Sequence, residues 1–348
     1  MPSPLLRRLL SMLCALQLSL VASTSAAESG AESGAESGPA YGVARPEVAR
    51  FVARMVAEHD FDPDALDALF AEATRKEPIL EAIARPAERR LTWAEYRRIF
   101  LTQERIEQGL DFWRIHEDSF ARAERVFGVD AAYVVAILGV ETRFGRNRGT
   151  WRVLDALATL AFDYPPRAAF FGSELEQFLL LAREEGLDPR VPLGSYAGAM
   201  GYGQFIPSSY RAYAVDFDGD GLRDIRDNPV DAIGSVANYL ARHGWRLGAP
   251  VARAVPEPPA AAKAAVATDL ELRLTIAELR ALGVEGLGDL PDADRATLIE
   301  FEGEAGPEYY VGMHDLSVIT RYNRSHLYAM AVRDLALAVA DARAARQG

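Results

Sequence analysis

The segment DAAYVVAILGVETRFG, residues 130–145, carries a glutamate where a helix would keep apolar side chains. Asp130 is a good N-cap residue and Gly145 a good C′ residue, so the spacing predicts a short helix marked at both ends. Val134, Ile137 and Leu138 recur at i, i+3 and i+4 and define a buried stripe. Glu141 falls at i+7 of the same series, near the helix C-terminus. Burial penalises its anion, and the negative end of the helix dipole does the same. A glutamic acid kept protonated near neutral pH suits general-acid attack on a glycosidic oxygen. The ordinary alternative is a glutamate paired with Arg143 or Arg146, or one grazing the core.

A second chemistry is written in DFDGDGLRDIRDNPVD, residues 216–231. Asp216, Asp218, Asp220 and Gly221 match the first half of the EF-hand signature, an oxygen cage for a hard cation such as calcium. The carbonyl of Leu222 takes the backbone-ligand position. The twelfth position holds Asp227 instead of a glutamate, so either Asp227 binds with one oxygen or a later residue closes the cage. Asp231, in the first turn of a following helix, is better placed. One isolated loop points to a structural ion and not a sensor; a solvated acidic turn is the plain alternative.

The third segment, GSYAGAMGYGQFIPSSY at 194–210, interleaves four glycines with Tyr196, Tyr202, Phe205 and Tyr210. Small residues admit a ligand close to the backbone, and flat rings stack on sugars. Gln204 brings both a donor and an acceptor. A tight turn between helices explains the same composition. Without a lysine or a preceding strand it is no phosphate loop.

The elements that must hold these segments read as mainly helical. Asp62-Pro63 opens a helix with Leu66, Leu69 and Phe70 on one face. A long helical-pattern segment runs over 102–127, with Ile106, Leu110, Trp113, Phe120 and Phe127. Ser173 and Glu176 read as a capping box ahead of a helix closed by Gly186. Asn228-Pro229 opens another, closed by Gly244. An Ala/Pro-rich stretch, 246–264, leads into a smaller part with a cap at Thr275-x-x-Glu278 and two strands, 297–302 and 308–311, in a hairpin. A last helix is expected over 325–346.

The 348 residues are 49% hydrophobic and carry a formal net charge of −12, which buries a large core and argues against nucleic acid as partner. Arg7 and Arg8, an apolar stretch over 9–21 and Ser25-Ala26-Ala27 form a signal-peptide pattern over 1–27, implying export to the periplasm. Residues 28–44 read as a flexible Glu-Ser-Gly-Ala tether. The single cysteine, Cys14, lies in the leader, so the mature chain has no thiol chemistry. Lipidation at Cys14 is the alternative, disfavoured because Leu13 stands where that signal wants a small residue. The five histidines show no metal spacing.

ILGVETRFG at 137–145, the 194–210 segment, VDFDGDG at 215–221, PVDAIGSVANYLARHGW at 229–245 and TRYNRSHLYAMAV at 320–332 together resemble lytic murein transglycosylase B, glycoside hydrolase family 103. The resemblance spans roughly 45–340. It implies a mainly α fold: a lysozyme-like helical core over 45–245, a small α+β subdomain over 246–315 and a C-terminal helix over 316–348 that returns to the core. It implies Glu141 as the single acid/base and calcium held by Asp216, Asp218, Asp220, the Leu222 carbonyl and Asp231. It implies a glycan groove using Ser195, Gln204, Tyr239, Tyr322, Asn323 and Tyr328. Tyr164-Pro165-Pro166-Arg167 replaces a Tyr-Pro-Arg-Arg run, leaving Arg167 as the remaining basic contact, and Phe170 stands where a tyrosine is common. The implied partner is peptidoglycan, met by a monomer with no membrane span and no organic cofactor, with room for cell-wall enzyme complexes. The implied reaction is non-hydrolytic cleavage of the β-1,4 bond between N-acetylmuramic acid and N-acetylglucosamine, leaving 1,6-anhydro ends. Its rivals are a hydrolytic muramidase, a non-catalytic glycan-binding scaffold and a calcium sensor.

Overall fold

The computed structural model describes residues 38–84 and 91–347; the leader, Cys14 and the tether repeats lie outside them. Tyr41, expected at the end of the tether, is already packed: its backbone N–H donates to the Ala73 carbonyl at 2.9 Å and its ring is fully buried. Helices α1 (Pro46–His59), α2 (Pro63–Glu72), α3 (Glu77–Ala84) and α4 (Trp93–Phe100) follow. Asp62 caps α2 through its carboxylate, which accepts from the Asp64 N–H at 3.0 Å.

The long segment over 102–127 forms two helices, α5 (Gln103–Ile115) and α6 (Glu117–Phe127), broken at His116. The break lets each helix turn its own aromatics inward, so that Phe112 and Phe120 meet edge-on at 6.0 Å. Helix α7 (Ala131–Thr142) is the centre of the molecule. Its expected stripe is no stripe, because Val134, Val135, Ala136, Ile137 and Leu138 are all 0% exposed. Such a helix must be covered on every side. Asp130 stands at its N-cap, but its carboxylate makes no capping bond, accepting instead from Trp245 Nε1 at 2.8 Å and from the Gly248 N–H.

Strand β1 (Trp151–Arg152), helix α8 (Val153–Asp163), helix α9 (Ala168–Glu184) and strand β2 (Leu193–Gly194) come next. Ser173 lies inside α9 and caps nothing; Glu176 pairs instead with Arg54 and His59. Helices α10 (Pro207–Tyr213) and α11 (Pro229–Arg242) complete the larger body. Asn228 caps α11, its Oδ1 accepting from the Val230 N–H at 2.9 Å.

Strand β3 (Ala252–Val255), helix α12 (Ala260–Lys263), strand β4 (Leu274–Thr275), helix α13 (Ile276–Ala281) and strands β5 (Arg295–Glu302) and β6 (Pro307–Gly312) build the smaller part. All pairs are antiparallel, in the order β3-β6-β5-β4, and β5–β6 is the expected hairpin. Thr275 and Glu278 form the expected reciprocal cap. A separate hydrophobic cluster with Ile276, Leu279, Leu298 and Val311 fills this part. Helix α14 (His314–Tyr322) precedes the expected last helix, α15 (His326–Gln347), which packs on α7, α5 and α4.

Candidate active site

Helix α7 ends earlier than its glycine suggests. Arg143 and Phe144 take the left-handed conformation at φ 50° and 60°, so the chain turns away directly after Thr142 and leaves Glu141 in the last turn. Left-handed backbone is costly for non-glycine residues, and local bonds hold it here. The Thr142 hydroxyl donates to the Tyr202 carbonyl at 2.9 Å and accepts from the Gly145 N–H at 2.9 Å. Thr142 thereby ties the glutamate turn to the Gly-aromatic segment. Gly145 is needed for space as well as for φ: a Cβ there would stand 2.1 Å from the Tyr202 ring.

Glu141 has neither of the arginine partners that its neighbours offered. Arg143 pairs with Glu104 at 2.7 Å. The hydroxyl of Tyr328 donates to Glu141 Oε1 at 2.6 Å. Burial raises the carboxyl from 4.5 to about 7, and the Tyr328 hydrogen bond pulls partly against that rise. The phenols around it are pushed upward too: Tyr322, Tyr328 and Tyr96 by burial first and by the Glu141 charge second. The phenol that hydrogen-bonds Glu141, Tyr328, is therefore neutral.

One groove runs over this carboxyl, enclosing about 970 Å³ with its open solvent. Gln204, Tyr239, Tyr322, Asn323 and Tyr328 all line it beside Glu141. Their backbone is pinned by their own side chains. Tyr322 OH donates to the Gly203 carbonyl at 2.6 Å, and Tyr239 OH to the Arg321 carbonyl at 2.7 Å. Tyr239 and Tyr322 meet edge to face at 4.7 Å, and Tyr322 stacks on Tyr328 at 6.5 Å. Gln204 holds a left-handed φ of 50°, and its amide donates to the carbonyls of Gly201 and Arg148.

Two expected residues do not line the groove. Ser195 is buried, and its hydroxyl accepts from the N–H groups of Ala197 and Ala199, so it shapes the loop from within. Arg167 lies over the rings of Phe170 and Phe171, 4.4 and 5.3 Å from their centroids. Phe170, on which it lies, does line the groove.

Residues 44–337 match the family described as Transglycosylase SLT domain. This chain belongs to the SLT-domain transglycosylases. Membrane-bound lytic murein transglycosylase B of Escherichia coli (strain K12) is 44% identical over 299 residues, covering 83% of this chain and 81% of that one. The crystal structure of soluble lytic transglycosylase SltB1 from Pseudomonas aeruginosa is 52% identical, with a TM-score of 0.83 over 86% of this chain and 100% of that chain. The Escherichia coli lytic transglycosylase Slt35, solved in complex with calcium, is 41% identical, with a TM-score of 0.80 over 90% of this chain and 98% of that chain. The expected fold class holds: mainly α, lysozyme-like, with a small β-containing part. The chain is an enzyme of the lytic transglycosylase class.

In this SLT-domain transglycosylase the groove is also lined by residues that the sequence did not single out. Tyr96 and Phe100 reach the groove from α4, Ser209 from α10, and Arg321 and Arg324 flank Tyr322 and Asn323. The last two could have been noticed in TRYNRS; Tyr96 and Phe100 sit in an ordinary amphipathic helix that gives no sign of a ligand.

Away from the groove, the acidic loop gathers Asp216, Asp218 and Asp231, whose carboxylate oxygens lie within 4.8 Å of one another. Asp231 is fully buried and accepts from the N–H groups of Phe217 and Asp224, both at 2.7 Å. Asp220 is not in that trio; its carboxylate accepts from the Leu222 N–H at 2.8 Å. Asp227 turns to Arg148 at 2.9 Å, so of the two open choices the geometry brings Asp231 to the cage.

Proposed function

We propose that this transglycosylase cleaves peptidoglycan at the β-1,4 bond between N-acetylmuramic acid and N-acetylglucosamine, with Glu141 as its only acid/base. One observation carries the reading. Among the described residues lining the groove, Glu141 is the only carboxylate, and burial brings it to about 7. Hydrolytic glycosidases work with two carboxylates at a set separation. A single one suffices if the nucleophile belongs to the substrate.

In that sequence the protonated Glu141 gives its proton to the glycosidic oxygen, and the bond to C1 of the muramoyl unit breaks as positive charge grows on the ring. The carboxylate left behind accepts the proton of the same sugar's C6 hydroxyl. That oxygen then bonds to C1 and closes a 1,6-anhydro ring. Glu141 ends protonated, ready for another turn. Proximity makes the attack intramolecular, so no water has to be held. Tyr328 supports the step in which Glu141 is an anion, since its hydroxyl donates to Oε1. The aromatic walls offered by Tyr239, Tyr322 and Tyr96 suit the faces of sugar rings.

The acidic loop suits a structural calcium. Its donors are hard oxygens, and the buried Asp231 is already oriented by backbone N–H groups. Asp216, Asp218 and Asp231 would hold the ion, with Asp220 and the Leu222 carbonyl as further ligands, pinning the loop to the start of α11. Work on peptidoglycan fits export by the leader over 1–27 to the periplasm. Among the described residues no helix is long and apolar enough to cross a membrane.

The test is mass analysis of sacculi digested by the wild-type enzyme and by Glu141→Gln. Wild type is expected to release 1,6-anhydromuramoyl ends, and the variant to lose at least about 100-fold in kcat. Reducing ends from the wild type, or an active variant, would overturn the reading.

A further inference from the structure

We propose that Glu174 is a positioning residue of the glycan groove: its buried carboxylate fixes the first turn of α10 and, with it, the wall along which the sugar chain lies. The inference rests on the peptidoglycan reading above. Glu174 sits on α9 with 2% of its surface exposed and does not itself line the groove. Its Oε2 accepts from the Ser208 N–H at 3.0 Å. An acid taken out of water is kept there by hydrogen bonds or a cation. Burial lifts this carboxyl above the usual glutamate range, and among the described residues only the N–H and hydroxyl of Ser208 pull the other way.

The start of α10 shows why the acceptor has to come from another helix. The first N–H groups of a helix need an outside partner, and Ile206 at the N-cap has no side chain that accepts. Pro207 has no N–H, so Ser208 supplies the first one. Glu174 meets it from across the α9–α10 contact, bringing a carboxylate to the positive end of the helix.

What this contact holds is the groove wall. Gln204, Phe205 and Ile206 line the groove just ahead of α10, and Ser209 lines it from the first turn. Phe170, one turn before Glu174 on α9, lines it too. One carboxylate thus ties together wall residues from two helices. Gln204 needs such support, since its left-handed φ of 50° is costly for a non-glycine residue and stands only where neighbours fix it. The same two helices also meet through Arg211 and Glu184 at 2.6 Å, a more exposed pair that fixes little.

The test is steady-state kinetics on glycan strands, with pH profiles and thermal melts, for variants at Glu174 and Arg211. Glu174→Met fills the same space without an acceptor, and Glu174→Asp falls one methylene short of Ser208. Each is expected to raise KM about tenfold and to change kcat less than about threefold. Glu174→Gln keeps both the reach and an acceptor oxygen and is expected to recover most of that loss. The alkaline limb of kcat is expected to stay near pH 7 throughout, because burial and Tyr328 set it. Arg211→Ala is expected to leave KM within about twofold of wild type. Glu174→Met and Glu174→Asp proteins that melt lower with KM within about twofold of wild type would overturn the anchor. So would a shifted limb, a Glu174→Gln protein no better than Glu174→Met, or a KM in Arg211→Ala as high as theirs. A wild type that releases no anhydro ends would overturn the peptidoglycan reading instead, so the two failures are distinct.

Discussion

Glu141 must carry a proton at a pH where a glutamate in water has lost it, and that requirement leaves a mark on stability. Its carboxyl moves from 4.5 in the unfolded chain to about 7 in the fold, with burial as the main cause. Between those values the folded protein holds a proton that the unfolded chain has released. Stability contributed by the neutral acid is therefore complete below about 4.5 and lost as pH rises through about 7. Above that range a buried anion is held by the Tyr328 hydroxyl. Glutamine is neutral at every pH and can keep the Tyr328 bond through its Oε1. Glu141→Gln is thus expected to raise Tm at pH 8, corresponding to about 1–3 kcal/mol, and to leave it unchanged at pH 4. The same proton sets the alkaline limb of kcat in the wild type, expected near pH 7. Thermal unfolding of both proteins across that range checks the sign; a variant no more stable at pH 8 would show that Glu141 is not held protonated.

At the scale of elements, the sequence was legible where the physics is local. The caps at Asp62, Asn228 and Thr275 act within three residues of themselves, and each stands where it was expected. Ser173 obeyed the same pattern and failed, because α9 had already started and Glu176 was claimed by Arg54 and His59 from α1. The end of α7 was misplaced for a related reason. Gly145 looked like the stop, but Thr142 and the Tyr202 carbonyl turn the chain earlier, and that partner lies far along the sequence. Resemblance supplied Tyr239, Tyr322 and Tyr328, and the groove gathers them. It also supplied Ser195, whose hydroxyl the loop consumes itself. In the acidic loop Asp216, Asp218 and Asp231 come together, while Asp227, the alternative closing residue, is taken by the Arg148 guanidinium. Calcium at about a hundredfold its Kd is expected to stabilise the protein by about 2.7 kcal/mol, and a chelator to remove that gain. Asp218→Asn, at an exposed member of the trio, is expected to abolish the calcium shift while leaving the chelated protein's Tm nearly unchanged. Equal shifts in both proteins would place the ion elsewhere.

At the scale of the whole molecule, α4 joins the small sheet to the groove. Tyr96 and Phe100 on this helix form part of the groove wall, while Trp93 at its start packs against Phe301 of β5 at 5.4 Å. Phe301 in turn meets Tyr310 of β6 at 5.9 Å. Trp93 is 1% exposed, so the seam is closed to solvent at its centre. The rim of the seam carries the Arg98–Glu304 pair, both partners exposed. Magnitudes decide which contact holds the parts together. A solvated pair is worth about 0–1 kcal/mol, whereas emptying a buried tryptophan site costs about 3–5 kcal/mol. Arg98→Ala is accordingly expected to leave Tm and kinetics almost unchanged. Trp93→Ala is expected to lower stability by about 3–5 kcal/mol and, because α4 loses its anchor, to raise KM more than it lowers kcat. Trp93→Phe, which refills part of the space against Phe301, is expected to recover most of both. Denaturant melts with glycan-strand kinetics on the three variants separate the alternatives. If Trp93→Ala lost stability with KM untouched, the sheet would be a passive appendage, and Tyr96 and Phe100 would take their places from α5 and α15 alone.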